Sequence, residues 1–153
     1  MDDQLQTLAS FAPVDGSEPR ATMTDQDDTT RDEVDEFLRD RIDTVPHLEA
    51  LLLLWNSRPK SWSVEELTKS LYLAPESVKE ILDDLVRQRL IEASVGIFDC
   101  YHYEPASNLD PIVALVDSAY RRELIRITRL IHSKPSAAVR EFARAFRIKR
   151  DQK

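Results

Sequence analysis

The chain has 153 residues, of which 42% are hydrophobic and 32% are charged, and its formal net charge is −7. This length fits one ordinary domain with an additional tail. The chain contains only two glycines, which argues against a glycine-rich phosphate-binding loop and against a fold with many β-turns. Its single cysteine excludes an intramolecular disulfide, and its apolar runs are too short to span a bilayer. We therefore expect a cytoplasmic protein that needs no cofactor.

The net charge hides three segments of different sign. Residues 1–36 contain eleven acidic and two basic residues, and residues 37–119 contain fourteen acidic and eight basic residues. Residues 120–153, in contrast, contain eleven basic and three acidic residues. This asymmetry predicts an acidic tail, a folded core and a basic contact surface.

The first predicted elements follow a polar N-terminal segment. Residues 1–30 contain too little apolar surface to offset the entropy of ordering, so we predict a disordered acidic tail. Order is expected from residue 31, because Val34, Phe37 and Leu38 fall at helical spacing. A second helix over 47–56 is apolar on nearly every side, which predicts that it is buried.

Two further helices and a hairpin come next. Ser63 and Glu66 have the spacing of a capping box, which predicts a short helix through Leu71. Pro75 then opens a helix that runs to about residue 89 with its apolar positions on one face. Two strands, 90–95 and 97–103, are predicted around Gly96 because their side chains alternate in polarity.

The C-terminal third is predicted to be helical. Asp110 and Pro111 are typical of a helix start, and an apolar stripe continues from there to residue 132. A last amphipathic helix follows Pro135. We expect residues 31–108 to form one domain and residues 109–150 to form basic helices for dimerisation or partner contact. The stripe over 110–132 is longer than a small core can cover, which favours a symmetric homodimer.

The order of helices and hairpin over residues 46–103 resembles the winged helix-turn-helix domain, and it is similar to the MarR and PadR groups of bacterial transcriptional regulators. The segments that carry the resemblance are the capped helix 63–71, the turn 72–77, the helix 78–86, and the Leu-Ile-Glu sequence that enters the hairpin. The resemblance implies a mainly α fold, with a winged-helix core, a two-stranded β-hairpin and a C-terminal helical extension. It also implies a homodimer that binds DNA.

In that family the helix after the turn enters the major groove of DNA. Carried onto this chain, the outward-facing residues of that helix are Glu76, Ser77, Lys79, Glu80, Asp83 and Asp84. They are mostly acidic, and the predicted wing (93–99) contains no Lys or Arg. Because cations near the phosphates dominate DNA affinity, we expect the backbone contacts to come from another surface.

The basic C-terminus is the candidate for that surface. Two sets of arginines have intervals of four and three residues: Arg122, Arg126 and Arg129, and then Arg140, Arg144 and Arg147. Lys149 and Arg150 follow the second set. Three interpretations remain open: the solvated faces of ordinary helices, contacts to nucleic-acid phosphates, or docking onto a membrane surface or a partner groove. The sequence therefore predicts a transcriptional regulator whose arginines contact DNA phosphates. The alternative is a protein-interaction adapter with an acidic helix face and a basic tail.

Enzymatic or metal chemistry is not predicted. His47, His102 and His132 lie far apart in the sequence. Cys100 and His102 share a strand face and could supply two metal ligands, but zinc sites prefer four ligands. Neither residue has an evident third partner for nucleophilic catalysis. We therefore predict a non-enzymatic protein without a metal site.

Overall fold

The computed structural model of the protein describes residues 23–104, 108–135 and 137–150. The elements are, in chain order, α1 (Met23–Arg41), α2 (Val45–Asn56), β1 (Trp62–Ser63), α3 (Val64–Leu71), α4 (Pro75–Arg87), β2 (Glu92–Ser94), β3 (Cys100–His102), α5 (Asp110–Arg122), α6 (Leu124–His132) and α7 (Ala137–Arg150). The predicted mainly α fold with a small β-structure is confirmed.

Helix α1 begins at Met23, earlier than the predicted start of order at residue 31. Residues 23–30, which we assigned to the disordered tail, are therefore helical, whereas residues 1–22 lie outside the described residues. Just after these residues, Arg31 donates to the Glu123 carboxylate at 2.9 Å and so joins α1 to the residue between α5 and α6. That contact joins residues 92 positions apart in the chain, so local sequence patterns do not reveal it.

Helix α2 lies at the centre of the core, as its apolar composition predicts. The side chains that pack around it are buried and come from five other helices. They include Val34, Leu38 and Ile42 of α1, Leu67 of α3, Val78, Leu82 and Leu85 of α4, Val113 and Val116 of α5, and Ile127 and Ile131 of α6. Each such burial contributes about 1.5–3 kcal/mol of transfer free energy.

The helix predicted over residues 110–132 is two helices. Glu123 has φ −128° and ψ 43°, outside the helical region, so α5 ends at Arg122 and α6 begins at Leu124. The break directs Ile127 and Ile131 into the core of the same chain. The expectation that one small core cannot cover this stripe was therefore wrong for Val113, Val116, Ile127 and Ile131, which are buried. The homodimer itself stays a prediction.

The wing belongs to a three-stranded antiparallel sheet with the order β1-β3-β2. Strand β1 was not predicted, because two residues are too few to show a strand period. The hairpin strands are shorter than the predicted 90–95 and 97–103, since Leu90 and Ile91 turn into the core before β2 begins. The alternation along β3 is confirmed: Tyr101 is buried, and Cys100 and His102 lie on the opposite face.

Among the helices that the structure describes, none is both long and apolar enough to cross a bilayer.

Candidate nucleic-acid interface

Both ends of α3 are fixed by local interactions. Ser63 Oγ accepts from the Glu66 backbone N–H at 3.2 Å, and the Glu66 carboxylate accepts from the Ser63 backbone N–H at 3.0 Å. The backbone hydrogen bond from Ser63 is the main reason that the pKa of Glu66 is lowered. At the other end of α3, Tyr72 adopts φ 55°, the left-handed conformation that stops a helix, and Pro75 starts α4.

Helix α4 buries one face and exposes the other, as its apolar spacing predicts. Val78, Ile81, Leu82 and Leu85 face the core. Five of the six residues predicted on the outward face are exposed: Glu76, Ser77, Lys79, Glu80 and Asp83. The prediction was wrong for Asp84, which is half-buried because it faces His47 of α2. This face is therefore open to a partner and carries three carboxylates against one cation.

The C-terminal turn of α4 is tied to the junction between α1 and α2. Asp84 lies 3.1 Å from His47 Nε2 and accepts from Arg87 at 2.9 Å. The other ring nitrogen of His47 lies 2.6 Å from the Thr44 hydroxyl. Arg41 also donates to the Gln88 carbonyl at 3.0 Å. These contacts join the end of α4 to α1 and α2.

The wing adds apolar and acidic surface, and no cations. Val95, Ile97 and Phe98 at its tip are 93%, 95% and 81% exposed. At its base, the pKa of Tyr101 is raised, mainly by burial and further by the carboxylates of Asp83 and Asp99. The gap between α4 and the wing is thus an acidic environment.

Two of the predicted phosphate-binding arginines contact carboxylates on α1 or just after its end. Arg126 donates to Asp35 at 2.6 Å and also to Glu123. Burial acts to lower the pKa of Arg126, but the hydrogen bonds that it donates to Asp35 and Glu123 raise this pKa overall. The bonds from Arg126 and Arg31 in turn lower the pKa of Glu123.

The second such arginine lies on α7. Arg140 forms an ion pair with Asp43, just after the end of α1. Nearby, Lys134 donates to the carbonyls of Leu38 (2.7 Å) and Ile42, and so satisfies the last carbonyls of α1. Burial, followed by the neighbouring charge of Arg140, lowers the pKa of Lys134. The partner carboxylates, Asp35 of α1 and Asp43 just after it, were missed by sequence reasoning, because their pairing depends on how distant helices pack.

The other arginines have a different setting. Arg122, Arg129 and Arg144 are exposed, and no carboxylate in the described part of the chain pairs with them. The backbone of α7 is described to Arg150, but the side chains of Arg147, Lys149 and Arg150 lie outside the described residues. The predicted arginine stripes therefore include arginines in ion pairs within the chain and arginines without a carboxylate partner among the described residues.

A helix-turn-helix (α3 and α4), followed by a β-hairpin and joined by β1 in one small sheet, defines a winged-helix protein. No family model and no curated protein sequence matches the chain.

Solved structures with a similar chain path include regulators of the MarR family. A MarR family protein from Bacillus stearothermophilus is 18% identical with a TM-score of 0.46, and the match covers 84% of this chain and 88% of that chain. The adhesin competence repressor AdcR of Streptococcus pyogenes is 18% identical with a TM-score of 0.46, over 86% and 96% of the two chains. A mutant of MepR from Staphylococcus aureus, bound to an oligodeoxyribonucleotide, is 16% identical with a TM-score of 0.48, over 82% and 90%. Values this low support no conclusion about the function of this chain.

Proposed function

We propose that the protein is a cytoplasmic, non-enzymatic transcriptional regulator that binds DNA as a homodimer. The observation that carries the proposal is the outward face of α4, which the capping box and the Tyr72 turn hold open on a rigid core. In a winged helix this element is the one that reaches the base edges in the major groove. Lys79 and Ser77 on this face can donate to bases or phosphates.

The phosphate contacts must come largely from elsewhere, because the α4 face and the wing are acidic. We assign them to Arg122, Arg129 and Arg144, which are exposed and have no carboxylate partner among the described residues. Arg147, Lys149 and Arg150 extend the same basic helix in sequence. Arg126 and Arg140 are engaged by α1 and are left out of this assignment.

A DNA titration tests this assignment. We expect a labelled random-sequence duplex to bind in fluorescence polarisation, with affinity falling steeply between about 50 and about 200 mM salt. Replacing Arg122, Arg129 and Arg144 together with Ala should reduce the slope of log affinity against log salt by about 0.9 per lost phosphate contact. Arg121→Ala is the matched control, because Arg121 is exposed but already paired with Asp117 at 3.0 Å.

The outcomes separate the two parts of the proposal. Salt-dependent binding that the triple variant leaves unchanged would show that other cations hold the phosphates. An absence of binding at low salt would reject DNA binding itself. Replacing Glu80 and Asp83 with Ala should strengthen nonspecific binding if α4 faces DNA, because two repelling carboxylates are removed.

A second candidate function is a protein-interaction adapter, and the surface chemistry of the wing favours it. The tip presents Val95, Ile97 and Phe98 to solvent beside the acidic face of α4. Exposed apolar side chains rimmed by charges are typical of protein contacts. Under this function the Glu80 and Asp83 substitutions should weaken a partner complex and leave DNA binding absent.

A further inference from the structure

Two clusters of side chains that could bind a metal ion occur in the described part of the chain. They differ in whether their side chains already have hydrogen-bond or ion-pair partners within the protein. The first cluster consists of Asp43, His47 and Asp84. In the first cluster, Asp43 is paired with Arg140, and His47 lies between Thr44 and Asp84. Each ligand atom there already has a protein partner. This cluster is therefore accounted for by the contacts that join α1, α2 and α4.

The second cluster lies on one face of the wing and consists of Glu92, His102 and Glu104. Glu92 of β2 is the cross-strand partner of His102 in the antiparallel register. Glu104 is two residues beyond His102, so strand alternation predicts that it lies on the same side of the chain. Register and alternation bring the three side chains together, and their ligand atoms lie within 4.8 Å of one another.

The imidazole of His102 is left unsatisfied by these neighbours. Its Nδ1 atom is buried and has no hydrogen-bond partner. Its Nε2 atom faces the Glu104 carboxylate at 3.6 Å and the Glu92 carboxylate at 3.9 Å, both beyond hydrogen-bonding distance. The two nitrogens point to different sides of the ring, so an ion held by the two carboxylates would bind Nε2 and would not contact Nδ1. The Nε2 side of the ring, which faces both carboxylates without a hydrogen bond to either, is therefore the side on which an ion could bind.

We infer that Glu92, His102 and Glu104 form a binding site for a divalent transition-metal ion, with Zn²⁺ as the best fit. One imidazole and two carboxylates are suitable zinc ligands, and metal–ligand bonds of about 2.0–2.2 Å place neighbouring tetrahedral ligands about 3.3–3.6 Å apart. The observed separations of 3.6 and 3.9 Å are close to that range, and the glutamates are exposed enough to adjust.

The inferred site is open to solvent on one side, and an ion bound there would join β2 to β3. Glu92 and Glu104 retain 61% and 40% exposure, so water can complete the coordination. Because the ligands come from β2 and from β3 with the residues after it, the ion would link the two strands of the wing. The site does not depend on whether the wing contacts DNA.

The test is a titration of the untagged, full-length protein with ZnCl₂ in a calorimeter, supported by visible absorption with CoCl₂. We expect one ion per chain, and a rise in Tm with added Zn²⁺ because the ion binds the folded state. His102→Gln should weaken binding by more than about 10-fold, a loss at least as large as that caused by removing an outer-shell partner. Glu104→Gln is a second variant, on an exposed side chain whose replacement should not disturb folding.

Three controls locate the ion. His132→Gln removes an exposed histidine of α6 and should leave affinity unchanged, as should Cys100→Ser, which removes a thiol outside the cluster. Asp84→Asn alters the first cluster and should also have no effect on Zn²⁺ affinity. The inference is overturned if the wild-type chain does not bind Zn²⁺, or if binding survives His102→Gln and Glu104→Gln.

Discussion

Arg126 and Arg140 contact carboxylates of their own chain, although in the sequence they belong to the same stripes as arginines that face solvent. Position on a helix face does not distinguish the two groups. What distinguishes them is α1, which brings Asp35 and Asp43 against α6 and the start of α7. A stripe of like charges can therefore contain both structural ion pairs and cations available to a ligand.

Glu123 should make the stability of the fold depend on acid pH. Hydrogen bonds from Arg126 and Arg31 lower its pKa, so its stabilising contribution is present above the ordinary value of 4.5. The contribution is lost as the pH falls through the lower pKa of the folded state. Glu123→Gln should reduce the free energy of unfolding by about 1 kcal/mol at neutral pH, allowing for solvent screening.

Urea unfolding from neutral to strongly acid pH measures this difference. The gap between wild type and Glu123→Gln should narrow in acid, because the wild-type carboxylate becomes protonated. The control is Glu36→Gln, which replaces an exposed glutamate without an ion pair in the described part of the chain. A gap that stays constant with pH would contradict the role of the ionised Glu123.

At the scale of elements, the residues at the helix ends determine the length and direction of the helices. The α3 capping box and the left-handed Tyr72 bound α3 within eight residues, so α4 leaves the turn in a defined direction. The nonhelical Glu123 has a corresponding effect in the C-terminal half, because it separates α5 from α6 and directs α6 into the core.

Loss of the α3 cap should be measurable by itself. Ser63→Ala removes the hydroxyl that accepts from the Glu66 N–H, and it should cost about 1 kcal/mol of stability. Ser70→Ala, near the other end of the same helix, is the control and should change stability by less than about 0.5 kcal/mol. Equal effects of the two substitutions in chemical denaturation would contradict the assignment of the cap.

At the scale of the whole molecule, acidic and basic surfaces are separated along the chain. The α4 face and the wing are acidic, and α7 carries five cations and one carboxylate. Apolar side chains are also exposed on the basic helices α6 and α7: Ile125 is 68%, Phe142 65% and Phe146 59% exposed. The ring centroids of Phe142 and Phe146 lie 4.7 Å apart, with the rings tilted by 53°. The exposed apolar surface formed by Phe142 and Phe146 on α7 is our candidate for the homodimer interface.

The oligomeric state tests that candidate. In light scattering after gel filtration, the wild-type chain should have the mass of a dimer, and Phe142→Ser with Phe146→Ser should have the mass of a monomer. Phe98→Ser at the wing tip removes an aromatic ring that is even more exposed (81%) and should leave the dimer intact. A wild-type monomer, or a dimer lost only through Phe98, would contradict an interface on α7.

The sequence by itself determined the order of helices, the capping box, the turn at Tyr72 and the outward face of α4, because each depends on neighbours within a few positions of the chain. Only the tertiary structure decided the early start of α1, the strand β1, the break at Glu123 and the division of the arginines. It also brought Glu92 to His102 and Glu104. These features depend on contacts between distant residues, where packing and charge pairing outweigh local preference.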